Sequence, residues 1–285
     1  MKKSHRQFYD IFIKTQDTAP AYIRTIWLFT YSDMKTIMFP WLIIRYPLAL
    51  LWTWSNLLPF DIFNQFSEEA IEEDRINKPW RPLPSGMIDR EQAASLMWKY
   101  YILALIVSSS IGGLRQLLML ILLGAWYNAG GGADRSFVIR NVINATGILS
   151  FAFGAMEVAL GTPLLLTEPS VQWMGILAAV IFSTVQTQDL YDMEGDSSRN
   201  RKTMPLVVGH SLTRWWTAFM VSIFSVICPA YWSLRWHGFI LPMFFGCTSE
   251  ADKRTFRFWN VWLVSIYFLP FVRFLAFGCS GTRWS

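Results

Sequence analysis

The chain has 285 residues, of which 53% are hydrophobic and only 16% are charged. Soluble domains carry about 25% charged residues, so this composition, with its apolar residues gathered in long blocks, excludes a water-soluble fold and indicates a protein embedded in a lipid bilayer. The net charge of +5 comes from Lys and Arg residues in short connections between those blocks, a pattern that favours membrane orientation over nucleic-acid binding.

Eight apolar blocks follow one another along the chain. We expect them to cross the membrane as helices at about residues 37–60, 94–111, 113–127, 138–160, 171–190, 212–233, 238–248 and 258–277. Four basic loops alternate with connections that are poor in basic residues, so these loops should share the cytosolic face. The predicted fold is an all-α, polytopic membrane bundle of about eight to nine helices, and nothing in the pattern implies a protein partner.

The basic N-terminal residues also favour the cytosolic side. One crossing cannot place both this segment and the basic loop after residue 75 there, and the 25 apolar residues from 36 to 60 are too few for two crossings. Either residues 19–31 join as an interfacial helix or the first hairpin is shortened. We predict a cytosolic or interfacial segment at 1–35 and one transmembrane catalytic domain at 36–280.

A first acidic cluster follows the first block, in the segment NQFSEEAIEEDRINKPWRP. A helix over residues 62–77 would place five side chains on one arc: Gln65, Glu68, Glu69, Glu72 and Glu73. Asn64 and Asp74 fall outside that arc and would join it only where the helix unwinds. We expect the helix to end near Pro79, because proline cannot continue it.

A second acidic cluster follows the fifth block, in the segment QDLYDMEGDSSRNRKTMP. Helical spacing of three and four residues would align Asp189, Asp192 and Asp196 in one stripe. Both clusters end an apolar block on the same predicted side, so they should face one cavity. Their oxygens suit Mg²⁺, and basic residues after each cluster would bind phosphate, which together predict a diphosphate ligand. Those basic residues are Lys78, Arg81, Arg199, Arg201 and Lys202.

Simpler interpretations exist for each of these features. A single acidic run is usually a solvated helix face, but two clusters on one side, each followed by cations, favour a paired site. Tyr127 and Asn128 would reach the diphosphate or deliver a proton, although an interfacial tyrosine is the simpler interpretation. Glu157, inside an apolar block, is either a functional acid or a hydrogen-bonding partner of a neighbouring helix.

At these residues the sequence resembles the UbiA superfamily of intramembrane prenyltransferases. NKPWRPLPSG is similar to the signature after the family's first motif, and DLYDMEGDSSRNRKTMPLVVG to its second motif and basic tail. Asp192 and Asp196 match the family's DxxxD pair, and Lys202 matches the basic residue of the tail. The first motif is less regular. The family's pattern can be aligned forwards from Asn64, or backwards from the signature so that Asp74 is its last residue. The first motif is similar to a fungal branch that includes membrane-bound sesquiterpene cyclases, which implies four ligands: Gln65, Glu69, Glu73 and Asp74.

The resemblance implies a Mg²⁺-dependent membrane enzyme that ionises a prenyl diphosphate. The expected catalytic residues are Asp192, Asp196 and Tyr127. The expected metal ligands are Asn64, Gln65, Glu69, Glu73, Asp74, Asp189, Asp192 and Asp196. The expected diphosphate-binding residues are Lys78, Arg81, Asn128, Arg199, Arg201 and Lys202.

The fate of the allylic cation separates two enzyme classes. Attack by the cation's own distal double bond would make a terpene cyclase, with farnesyl diphosphate as the expected substrate, whereas capture by an aromatic or quinone-precursor acceptor would make a prenyltransferase. A non-catalytic divalent-cation carrier is the alternative from another class, but it would need acids along its whole path, and here they gather at one rim. The fungal resemblance suggests the endoplasmic reticulum, with the site facing the cytosol.

Overall fold

A computed structural model of the chain describes residues 46–234 and 248–277. The predicted segment 1–35 and nearly all of the predicted crossing at 238–248 lie outside the described residues. The regular secondary structure of the described residues is entirely helical, without strands. The helices are α1 (Tyr46–Asn64), α2 (Glu68–Asn77), α3 (Arg90–Ile111), α4 (Leu114–Asn128), α5 (Gly132–Arg135), α6 (Phe137–Leu160), α7 (Glu168–Thr184), a 3₁₀ helix (Val185–Gln188), α8 (Met193–Ser198), α9 (Met204–Val208), α10 (His210–Tyr231), α11 (Ser249–Tyr267) and α12 (Leu269–Phe277).

Four helical segments in the described part of the chain are long and apolar enough to cross a membrane. They are α3, α6, α10 and the continuous segment Glu168–Gln188, which joins α7 to the 3₁₀ helix. These segments coincide with predicted blocks, and the predicted all-α membrane bundle is confirmed. The number of crossings stays a prediction.

Two helix boundaries differ from the predicted ones because polar residues cap the helices. The predicted helix over 62–77 is interrupted, since the Ser67 hydroxyl accepts a hydrogen bond from the Ala70 amide at 3.1 Å and starts α2 there. The last predicted block, 258–277, begins earlier, at Ser249, where Thr248 caps α11 in the same way. It is also split before Pro270, which lies in the first turn of α12.

Helix α6 is at the centre of the described bundle and packs against α1, α4, α5 and α7. Its contact with α1 depends on Gly154, which faces the fully buried Trp52 ring. Trp52 in turn lies edge-on to Phe151, with ring centroids 6.4 Å apart. The small residue therefore lets two helices approach closely around one large aromatic side chain.

The Gly154→Ala variant should be less stable than the wild type. A Cβ atom at this position would lie 2.0 Å from the Trp52 ring, and overpacking of this kind costs about 1–3 kcal/mol. Thermal unfolding of the detergent-solubilised protein measures the difference. Gly175→Ala is the matched control, because a Cβ there meets nothing within 4 Å. An unfolding temperature for Gly154→Ala at or above that of the control would contradict the packing described here.

Glu157 joins α6 to the start of α4. Its carboxylate accepts hydrogen bonds from the Gly113 amide at 3.2 Å, from Arg115 at 2.8 Å and from Gln116 at 3.1 Å. It is not among the residues that line the cavity described below. Of the two interpretations given for this acid, the contacts favour hydrogen bonding to a neighbouring helix, with Arg115 as its charge partner.

Candidate active site

The two acidic clusters meet where α2 ends and α8 begins. The Asn77 side chain donates to the backbone oxygen of Asp192 at 2.9 Å and accepts from the Gly195 amide at 3.2 Å. Lys78 forms an ion pair with Asp192 at 2.7 Å. This approach requires a glycine at 195, since a Cβ there would lie 2.3 Å from Asn77 Nδ2. Segments more than a hundred residues apart thus share one rim of the bundle, as the sequence predicted.

Arg201 links both clusters to the short helix α5. Its guanidinium contacts Glu73 at 2.6 Å in the first cluster and Asp196 at 3.1 Å in the second. It also contacts Asp134 of α5 at 3.0 Å. Arg199 contacts the same Asp134 at 3.2 Å and Glu73 at 3.5 Å. Because these side chains are largely buried, the network fixes the relative positions of the clusters.

Two further ion pairs complete the rim. Arg81 Nη1 donates to both carboxylate oxygens of Asp74, at 3.0 and 2.9 Å. Arg140 of α6 pairs with Asp189 at 2.9 Å and also donates to the Tyr127 hydroxyl. Five buried or nearly buried acids therefore each face a Lys or Arg, and they are Glu73, Asp74, Asp189, Asp192 and Asp196.

Burial shifts the ionisation of the carboxyl groups at this rim. It raises the pKa of Asp189 to about 6, against the opposing effect of Arg140. Burial also raises the pKa of Asp192 and of Glu73, although Lys78 and Arg201 act in the opposite direction. Burial alone would lower the pKa of Lys78, but the charge of Asp192 outweighs it and raises that pKa. The cost of burying these carboxylates means that additional positive charge at the rim would be bound favourably.

A cavity opens from this rim into the bundle. Its polar lining includes eight of the predicted site residues, namely Asn64, Glu73, Asp74, Lys78, Arg81, Tyr127, Asp192 and Arg201. Its apolar lining contains two aromatic pairs. Phe60 and Phe151 meet edge-on with centroids 5.9 Å apart, and Phe256 and Trp259 are stacked at 5.7 Å. The Trp259 indole is held by a hydrogen bond to Thr184 at 2.9 Å. A charged entrance thus leads to an apolar, aromatic interior.

Other predicted site residues lie behind or outside the cavity lining. Gln65, Asp189 and Asp196 are fully or almost fully buried but do not line it. Asn128 donates to the Asn64 side chain at 2.8 Å rather than lining the cavity itself. Glu69 and Lys202 are exposed. The structure therefore brings most of the predicted residues together and leaves these last two side chains at the surface.

The predicted acidic arc of the first cluster was wrong. Helix α2 starts afresh at Glu68, and it buries Ala70, Ile71, Glu73 and Asp74. The remaining acids of the helix are exposed, and these are Glu68, Glu69 and Glu72. The predicted single stripe of the second cluster is also interrupted, because Asp189 follows the 3₁₀ helix and Asp196 belongs to α8.

Sequence reasoning missed three residues that organise the site: Asn77, Asp134 and Arg140. Arg140 lay near the start of the predicted crossing at 138–160, and nothing in the local pattern distinguished it from Arg135. Asp134 stands two residues after a run of three glycines, and a short helix could not be recognised there. Asn77 stands immediately before Lys78-Pro79 in the first signature, and that position at a predicted helix end was the available signal.

The donor set at the rim suits Mg²⁺ when the metal shares its coordination with a ligand. Asp189 and Asp196 each keep one buried oxygen, Oδ2, without a hydrogen-bond partner in the described structure, while their other oxygens face Arg140 and Arg201. Within residues 46–234 and 248–277, no three Asp, Glu, His or Cys side chains are grouped so that they alone could hold a metal. Mg²⁺ typically binds one or two carboxylates and completes its octahedron with water and phosphate oxygens.

Two known synthases are similar to the chain over much of their length. The chain is 27% identical over 273 residues to the fumagillin beta-trans-bergamotene synthase of Aspergillus fumigatus, a match that covers 88% of this chain and 92% of that protein. It is 28% identical over 209 residues to the somaliensene A/B synthase of Streptomyces somaliensis, covering 67% of this chain and 68% of that protein.

A solved structure has a similar fold. The UbiA homolog from Archaeoglobus fulgidus bound to DMAPP and Mg²⁺ superposes with a TM-score of 0.55 at 13% identity, over 87% of this chain and 83% of that one. The sequence pattern that describes the UbiA prenyltransferase family matches residues 34–262, which is most of the chain. The chain therefore belongs to the UbiA prenyltransferase family.

Proposed function

We propose that this chain is a Mg²⁺-dependent sesquiterpene cyclase that ionises farnesyl diphosphate inside the membrane. The observation that carries the proposal is the continuity of one cavity, from a rim of paired acids and cations to an interior walled by aromatic rings. Cyclisation is favoured over transfer to an acceptor by the match along nearly the full length of a fungal terpene synthase.

The first step would be loss of the diphosphate at the rim. Lys78, Arg81 and Arg201 line the cavity there and would bind the phosphate oxygens. Mg²⁺, held by the free oxygens of Asp189 and Asp196 together with other acids of the rim, would supply positive charge to the leaving group. The allylic C–O bond breaks, both of its electrons stay on the diphosphate oxygen, and an allylic cation is left in the cavity.

The second step would take place in the apolar interior. Phe60, Phe151, Phe256 and Trp259 exclude water, and their ring faces stabilise positive charge. The π electrons of the distal double bond then attack the allylic carbon and close a ring. Loss of a proton to the departing diphosphate gives a neutral cyclic hydrocarbon, so that carbon, charge and protons balance without another reactant.

The proposal includes a location in the endoplasmic reticulum with the rim facing the cytosol. The orientation is supported by the alternation of basic loops, which predicts that the rim is on the cytosolic side. The orientation can be tested in sealed microsomes. The test uses a cysteine introduced at the exposed Arg135, in a variant without the native cysteines. Labelling by a membrane-impermeant thiol reagent is expected before detergent is added, and labelling only after detergent would reverse the orientation.

The acceptor-free assay is the test of this function. Membranes that contain the protein are incubated with farnesyl diphosphate and Mg²⁺, and volatile products and released diphosphate are analysed. A cyclic hydrocarbon is the expected product. Products that form only when an aromatic acceptor is added would identify a prenyltransferase instead. Mg²⁺ flux into liposomes without any diphosphate release would identify the carrier.

Asn77 should act as a positioning residue that aligns the two clusters. The Asn77→Ala variant loses both hydrogen bonds between α2 and α8. We expect the Mg²⁺ concentration for half-maximal diphosphate release to rise about tenfold or more, as is typical when residues that orient metal ligands are removed. The neighbouring exposed Ile76, replaced by Ala, is the control. An unchanged Mg²⁺ requirement in a folded Asn77→Ala protein would argue against this role.

A further inference from the structure

Gly147 is a buried glycine in the middle of α6 that helix packing does not explain. It lines the cavity, and a Cβ atom added there would meet no atom within 4 Å. Gly154, two turns further along the same helix, has the opposite environment, because an added Cβ would strike Trp52. A glycine inside a helix has a cost in stability relative to alanine, because it loses more conformational freedom on folding. At Gly147 this cost is not offset by a close helix contact.

Large side chains flank Gly147 along α6. Ile143 and Phe151 lie one helical turn before and after it, and both line the cavity. The same face of the helix therefore presents a bulky residue, a gap and a second bulky residue. The gap is part of the cavity, because Gly147 is buried from the outside and yet has open space where its side chain would be.

The gap lies at a depth that can be compared with the length of a prenyl chain. Arg140, which pairs with Asp189 at the rim, is seven residues earlier in α6, so Gly147 is about 10 Å deeper at 1.5 Å per residue. Each isoprene unit adds four carbons to the main chain and extends about 5 Å, given C–C bonds of about 1.5 Å. A chain whose diphosphate is held at the rim would pass Gly147 near the junction of its second and third units.

We propose that Gly147 determines the length of prenyl chain that the cavity accepts, by leaving room for units beyond the second. This inference rests on the proposed function, since it assumes that a prenyl diphosphate is bound at the rim. A side chain at position 147 would fill the gap between Ile143 and Phe151 and would exclude the third isoprene unit. It would leave the two units nearest to the diphosphate, and the ion pairs of the rim, undisturbed.

The experiment uses a series of increasing side-chain volume at this position: Gly147→Ala, Gly147→Val and Gly147→Leu. Diphosphate release is measured with geranyl, farnesyl and geranylgeranyl diphosphate, and kcat/KM is compared within each variant. The ratio of geranyl to farnesyl kcat/KM should rise with each step. For Gly147→Leu the rise should be about tenfold or more, which is the discrimination that small changes in apolar volume give in a binding pocket.

Gly175→Leu is the matched control. Gly175 also lies inside a helix, α7, and a Cβ there likewise meets nothing within 4 Å, but the residue is exposed on the outside of the described bundle. Its substrate ratio should equal that of the wild type. Size-exclusion chromatography in detergent shows which variants are folded. If the larger side chains prevent folding, the substrate ratio of the Gly147→Ala variant is the test, because alanine favours a helix and still narrows the gap.

The outcomes separate this inference from the proposed function. A wild type that releases no diphosphate from any of the three substrates would refute the proposed function. A wild type that ionises farnesyl diphosphate, combined with folded Gly147 variants whose substrate ratio does not change, would overturn the inference alone. Equal loss of activity with all three substrates in folded variants would overturn it as well, since the shortest chain should not reach the altered position.

Discussion

The Asp196→Asn variant should release diphosphate from farnesyl diphosphate about a hundredfold more slowly than the wild type, or worse. Asp196 is fully buried, with Oδ1 paired to Arg201 and Oδ2 without a partner in the described structure. Asparagine keeps the size of the side chain but removes the negative charge that would hold Mg²⁺. Loss of a group that stabilises the leaving charge typically costs a factor of about 10² to 10³ in rate.

A neighbouring residue provides the control for this variant. Glu194 lies in the same short helix, α8, but its side chain is exposed, so Glu194→Gln should keep the wild-type rate. Rates are measured over a range of Mg²⁺ concentrations, with thermal unfolding to confirm that both variants are folded. If the Asp196→Asn protein had the same rate and Mg²⁺ dependence as Glu194→Gln, Asp196 would not be part of the metal site.

The Arg201→Met variant should be about 3–5 kcal/mol less stable than the wild type. Methionine fills a similar volume but leaves Glu73 and Asp196 without the guanidinium that both contact. Breaking one side of a buried ion-pair network is strongly destabilising because it leaves uncompensated charge in a medium of low dielectric constant. Thermal and chemical unfolding in detergent measure the loss.

Two further variants make the Arg201 result specific. Arg75→Met breaks an ion pair with Glu72 in which both side chains are more than half exposed, so it should cost at most about 1 kcal/mol. Adding Glu73→Gln to Arg201→Met should restore part of the lost stability, because it removes one of the uncompensated carboxylates. Equal stability of Arg201→Met and Arg75→Met would show that the network does not hold the clusters together.

The family and the general architecture were predictable from the sequence. The resemblance to the UbiA family is confirmed, and so is the all-α membrane bundle. Apolar blocks of the length of a bilayer and basic loops on alternate connections are features of single segments, and therefore they can be recognised without tertiary information. The end of α2 at Asn77 was predictable for the same reason, since Pro79 follows closely.

The choice of acids that face the cavity was not predictable. It depends on where α2 begins. Ser67 caps the start of α2, so the helix does not continue from α1 and its side chains point in different directions from those of one continuous helix. A shift of one residue in a helix rotates every side chain by about 100°. As a result Glu73 and Asp74 are buried, while Glu69, which the family resemblance implied as a ligand, is exposed.

The ion pairs between these residues were also not predictable from the sequence. Asp134 reaches Arg199 and Arg201 only because the short helix α5 packs on α6 beside the second cluster. Arg140 reaches Asp189 across the interface between α6 and the segment after α7. Contacts of this kind depend on tertiary packing, and no local pattern specifies them. The roles of these residues in binding metal and diphosphate stay predictions that the variants above test.

The most direct test of the account is a structure of the protein in lipid nanodiscs with Mg²⁺ and an unreactive thiolo analogue of farnesyl diphosphate, determined by cryo-electron microscopy. We expect the diphosphate group between the first and second acidic clusters, in contact with Lys78 and Arg201, with metal at Asp196 and the prenyl chain passing Gly147. Density for the analogue outside this cavity, or the two acidic clusters at opposite ends of the bundle, would contradict the account.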